Sequence, residues 1–154
     1  MSYPATQIAD AFIIKAKEEG REISNLKLQK LLFIANGIHL VTSKDKKPLI
    51  NEPIEAWPYG PVISIVYHNF KLFGNSTILY PSIEGQLGIY KNALSEEANK
   101  SIDQTWQIGK EVDAVQLSNW SHNSGSPWQR AKQDNLEVIP NEYIVDFFNP
   151  FVTK

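Results

Sequence analysis

Three histidines, His39, His68 and His122, and no cysteine set the first limits on the chemistry this chain can do. Without a thiol there is no disulfide framework, no thiolate nucleophile and no cysteine metal site. None of the histidines stands in a metal-ligand spacing such as HExxH. His39 ends one apolar helical pattern and His68 lies off the apolar face of another, positions that suit structural or solvated imidazoles. His122, in "NWSHNSGSPW", sits near Ser124, Ser126 and Trp128, and a His with a Ser nearby can activate a nucleophile. No GxSxG elbow accompanies it, and the simpler reading has the imidazole bracing the helix that starts at Ser126. Glu52 and Glu55 could do acid–base work as a pair, but three apart on an extended segment they point to opposite faces. Glycine-rich phosphate loops are absent. The chain therefore reads as a protein with no catalytic residue, no cofactor site and no metal site, and not as an enzyme.

Two further groups point to binding. In "NLKLQKLLFIANGIHL", Lys27 and Lys30 lie ~60° apart on a helix that is apolar around most of its circumference. They form a narrow basic edge: either the solvated strip of a core helix, or a contact for an acidic partner or nucleic acid. In "EPIEAWPYGPV", three prolines fix φ and remove donors, so Trp57 and Tyr59 are held in one shape. The aromatics either pin a rigid corner to the core or are displayed as interface anchors.

The elements that must position these residues are mostly helices. Ile8, Ala9, Phe12, Ile13 and Ala16 recur at three- and four-residue spacing, predicting a helix over 6–19 stopped by Gly20. Ser24 or Asn25 caps a second helix running to about Leu40. It has Leu28, Leu31, Leu32, Ala35 and Ile38 on one side and Leu26, Phe33 and Leu40 on another, so it should be the central helix. "PIEAW" suits a short strand, paired in a hairpin with "KPLI". Pro61 suits the first position of a third helix bearing Val62, Val66, Phe70 and Phe73, ended by Gly74. Residues 75 to 93 read as a long connection with a short strand pair around Ile78 to Tyr80 and Leu87 to Tyr90. Ser95 opens a fourth helix, with Ala98, Ile102 and Trp106 as its stripe. Asp113 with Gln116 is box-like, as is "SPWQ" with Pro127 at the first helical position. "PNEYIVDFF" reads as a last helix.

At 154 residues, 42% apolar and 21% charged, the chain is the size and composition of one globular domain, 1–154. Its formal charge of -2 argues against a generic polyanion binder. No secretory leader and no ~20-residue apolar span is visible, so a cytoplasmic location is expected. The fold class expected is mainly α: a compact single-domain helical bundle with a small β-hairpin element.

The three blocks "NLKLQKLLFIANGIHL", "EPIEAWPYGPV" and "LSNWSHNSGSPWQRAK", in that order, resemble the Panacea domain of the SocA-like antitoxin family, also found under the names GepA and phage-associated protein. "IADAFIIKAKEEG" and "IPNEYIVDFF" fit the same pattern, so the resemblance covers nearly the whole chain. The family's third block often carries Thr-His and then Glu before SPW, where Ser121, His122 and Asn123-Ser124-Gly125 stand here. The resemblance implies an antitoxin of a toxin–antitoxin system, bacterial or prophage, that neutralises its cognate toxin by direct protein contact. The SocA type instead implies an adaptor that delivers the toxin to the ClpXP protease. A small nucleic-acid-binding regulator is the remaining alternative, and the acidic balance disfavours it. Under the first reading the expected toxin-binding residues are Lys27, Lys30, Trp57, Tyr59, His122 and Trp128. The partner is a toxin encoded nearby, with no membrane involved.

Overall fold

The computed structural model describes residues 2–152, with side chains to residue 150. Among these residues the chain forms eight α-helices and one two-stranded antiparallel sheet. In order they are α1 (Ala5–Glu18), α2 (Asn25–Thr42), β1 (Glu55–Trp57), β2 (Gly60–Val62), α3 (Ser64–Phe70), α4 (Ile83–Leu87), α5 (Glu96–Gly109), α6 (Ala114–Ser121), α7 (Pro127–Gln133) and α8 (Asn141–Val152). A single 3-10 turn, Lys71–Phe73, extends α3 to Gly74. The mainly helical architecture with a small sheet is as the sequence indicates. No helix among the described residues is long and apolar enough to cross a membrane.

The helices begin where local chemistry satisfies their free N–H groups. The side chains of Ser24, Ser95 and Ser126 accept from the backbone of Lys27, Ala98 and Gln129. Asp113 and Gln116 form the complete reciprocal capping box of α6. At α7 the box is displaced by one residue, because Gln129 Oε1 accepts from Gly125 N and not from Ser126.

α2 is the axis of the molecule. Every residue in it except Leu26 and Thr42 is buried. α1, α3, α5, α6, α8 and β2 all pack against it. A polar side chain on such a helix has no water to turn to and must be paired by the protein. Asn36 Oδ1 accepts from Leu49 N at 2.9 Å and from Ile50 N at 3.2 Å. Gln29 accepts from Ile63 N at 2.8 Å and donates to Ile63 O at 3.4 Å. His39 Nδ1 lies 3.2 Å from Ser101 Oγ on α5. The polar residues of α2 are thus pegs on which irregular chain hangs. Asn36→Ala, which strands two buried N–H groups, should cost about 2–3 kcal/mol, read as a lower urea midpoint with an unchanged m-value.

Three expectations are corrected. The hairpin pairs β1 with β2, in register Glu55↔Val62, Ala56↔Pro61 and Trp57↔Gly60, not "PIEAW" with "KPLI". "KPLI" instead meets the N-terminus, with Ile50 bridged in parallel to Tyr3. Pro61 therefore lies in a strand, where an edge tolerates its missing N–H, and α3 starts at Ser64 because Ile63 is still tied to Gln29. Finally, the stretch 75–93 holds the short helix α4, capped by Ser82, where a strand pair was expected.

Candidate functional site

The hairpin turn Pro58-Tyr59 is gripped by side chains from three helices. Lys30 of α2 donates from Nζ to Tyr59 O at 2.9 Å and to Pro61 O at 3.4 Å. Ser118 of α6 donates to Tyr59 O at 3.4 Å. Trp128 of α7 donates from Nε1 to Trp57 O at 2.5 Å. His122, which caps the C-terminus of α6, places Nε2 3.4 Å from Pro58 O. Its Nδ1 lies 2.5 Å from Ser118 O, and because a carbonyl only accepts, that nitrogen carries the proton. The His122 and Trp128 rings meet edge-on with centroids 4.2 Å apart. Three carbonyls within residues 57 to 61, those of Trp57, Tyr59 and Pro61, are thus hydrogen-bonded by side chains distant in sequence.

Backbone geometry completes the grip. Gly60 has φ +113°, in the region that favours glycine, and a Cβ there would lie 2.7 Å from Lys30 Nζ and 3.0 Å from Ser121 Oγ. Gly60→Ala should therefore destabilise the fold by about 2 kcal/mol or more, seen as a lower melting temperature, through strain and displacement of the Lys30 amine.

Lys30 is 0% exposed and stands against carbonyl dipoles with no carboxylate partner, so burial pushes its amine down to about 8. Trp57 is half-buried, donates to Glu55 Oε1 at 2.9 Å and stacks edge-on against Tyr67 at 5.2 Å. Tyr59 is the opposite case. Its backbone is fixed, and the residue is 69% exposed.

Five of the six expected residues, Lys30, Trp57, Tyr59, His122 and Trp128, converge on this corner; Lys27 does not. Lys27 donates to Lys110 O at 2.9 Å beyond the end of α5, and burial and then the nearby Arg21 lower its amine. Neither lysine forms a basic edge on the surface, because both are buried. His122 caps α6, and its ring also packs against Trp128 in the first turn of α7, as the sequence suggested. Glu52 and Glu55 also separate: Glu52 accepts from Ala5 N at 2.8 Å, and Glu55 holds the Trp57 indole. Ser118 and Ser121 belong to the corner and escaped the reading of the sequence. The signal for them was present: Ser118, Ser121 and His122 fall three and four apart on one helix face.

This arrangement is built for holding shape. Ser121 donates to Ser118 O at 2.7 Å, and the Ser126 hydroxyl accepts from Gln129 N at 3.2 Å at the start of α7. Among the described residues there is no group of three or more His, Asp or Glu side chains placed to hold a metal.

Residues 28–129, which span α2 to the start of α7 and so contain the whole corner, match the family model described as antitoxin SocA-like, Panacea domain. The chain is also 35% identical over 133 residues to Antitoxin SocA of Caulobacter vibrioides (strain NA1000 / CB15N), covering 82% of this chain and 69% of that protein. No solved structure matches it. These two similarities agree: the chain belongs to the SocA-like Panacea antitoxin family.

Proposed function

We propose that this protein is an antitoxin that neutralises a cognate toxin by direct, non-enzymatic binding, with the Tyr59 corner as an anchor of the contact. The observation that supports it is the contrast within the turn: clamped carbonyls beneath, an open phenol ring above. A rigid aromatic loses little entropy when it docks, and Tyr is among the residues that dominate interface energies. In this reading Tyr59 touches the toxin. Lys30, Trp57, His122 and Trp128 position it, and Lys27 steadies the neighbouring end of α2 against α5.

The test is co-expression with the product of the adjacent reading frame, followed by counts of viable cells and affinity capture. Killing by the neighbour alone, survival with this protein present, and co-purification of the two are expected. Survival without co-purification would overturn direct binding, and a harmless neighbour that binds nothing would remove the antitoxin reading for this pair.

A further inference from the structure

Beside Tyr59, one face of the hairpin carries a row of side chains in contact with one another. β1 lies between β2 and the stretch 137–139. Ala56 N donates to Glu137 O and Ile139 N to Ile54 O, both at 2.8 Å, and Glu55 is bridged antiparallel to Val138. Strand alternation puts Glu55 and Trp57 on one face and the buried Ala56 on the other. The Trp57 ring meets Tyr67 of α3 with centroids 5.2 Å apart and planes 63° apart, and Tyr67 meets His68 at 5.4 Å. Val138, Glu55, Trp57, Tyr67 and His68 thus form one continuous row. Val138, Tyr67 and His68 are exposed, and Glu55 and Trp57 are half-buried. Its α3 members are fixed from behind: Asn25 donates from Nδ2 to Tyr67 O at 3.0 Å, and Asn69 donates to Thr6 Oγ1 at 2.9 Å.

Glu55 is the charge in this row that lacks a counter-charge. Its Oε1 accepts from the Trp57 indole at 2.9 Å, and among the described residues no lysine, arginine or histidine pairs with it. A carboxylate has more acceptor sites than one indole N–H can fill. Its charge also polarises the indole, adding electron density to ring faces that already attract cations through their quadrupole. Two rings set at an angle, with an unpaired carboxylate on the edge of one, are therefore negative toward any group that approaches them. The phosphates of a nucleic acid would meet that carboxylate and be repelled. A guanidinium suits the same geometry, since it stacks flat on a ring while its forked donors meet a carboxylate, which an ammonium cannot do.

We propose that Glu55, Trp57 and Tyr67 form a receptor for an arginine side chain of a protein partner, which in the reading above is the toxin. The proposal rests on that reading for the partner's identity, while its chemistry stands on the three side chains. Tyr59 then supplies an apolar anchor, and the neighbouring half-cage supplies a charge that sets which partner fits.

A titration without toxin tests the chemistry on the whole chain. N-acetyl-arginine methylamide and its neutral isostere N-acetyl-citrulline methylamide are added at fixed ionic strength, and the Trp57 indole N–H signal is followed by NMR. Arginine should move that signal saturably and citrulline should not, a contrast that needs no variant. Glu55→Gln, whose amide oxygen still accepts from the indole, should raise the arginine Kd about 10-fold. An equal response to both compounds, no response to arginine, or a Kd unchanged by Glu55→Gln would each overturn the proposal. Titration of the adjacent gene's product then tests the partner. Glu55→Gln and Tyr67→Leu, the latter keeping apolar bulk without the ring, should each weaken binding about 10-fold, and Glu55→Gln should flatten its salt dependence. Binding lost with Tyr59→Ala but untouched by both of these changes would overturn the arginine site and leave the toxin-binding reading standing. A protein that responds to arginine yet does not bind that product would remove the toxin reading and support the arginine site.

Discussion

Tyr59→Ala should weaken toxin binding by roughly 100-fold or more, about 3 kcal/mol, while the melting temperature stays where it was. The two halves of that result have separate physical origins. The ring is 69% exposed, so its removal uncovers little core. The groups that hold the turn bond the carbonyl of Tyr59, which alanine keeps. Trp57→Ala should behave in the reverse order. It deletes a half-buried indole, its hydrogen bond to Glu55 and its contact with Tyr67, so stability falls first and binding follows. Paired calorimetric melts and binding titrations of the two variants separate display from support. A Tyr59→Ala protein that melts early would make Tyr59 part of the corner's own packing.

Lys30→Ala should lower stability by about 3 kcal/mol, roughly 10 °C for a chain of this size. It leaves the Tyr59 and Pro61 carbonyls short of their buried donor and opens a cavity where the butyl stem ran. Lost toxin binding should accompany it, because the corner relaxes. The amine also carries a pH signature. The unfolded chain holds the lysine proton to near 10.5, whereas burial makes the folded protein release it at about 8. Between those values the unfolded state binds more protons, so stability rises with pH. Below about 8 the full cost of the buried cation is present. Lys30→Met, which keeps the stem and removes the charge, should lose that alkaline rise. Denaturant melts of the unmodified and Lys30→Met proteins between the two pH values give the comparison, and identical slopes would contradict a buried cationic amine.

Much of this fold could be read from the chain because its helices are capped locally. Ser24, Ser95, Asp113 with Gln116, and Ser126 each mark a start within their own turn, and Ala98, Ile102 and Trp106 mark the inward stripe of α5. The hairpin was harder, since its Pro58-Tyr59 turn lacks the Asn-Gly signature that fixes register. α4 is five residues long, too short for periodicity to show. The lysines of α2 are the instructive case. Sequence places Lys27 and Lys30 on one edge, but not where a four-carbon stem ends. The Lys30 amine finds its acceptors 29 and 31 positions along the chain. A helix apolar on nearly every side has no solvent strip to offer, and that fact already favoured pegs over a basic edge.

Direct binding is most sharply tested in cells that lack ClpX, co-expressing this protein with the product of the adjacent reading frame and counting survivors. Neutralisation by contact predicts full rescue there, with the two proteins recovered as a complex and the Tyr59→Ala protein failing at both. Rescue that vanishes without ClpX, while toxin levels rise, would contradict it and make the chain a carrier of toxin to the protease.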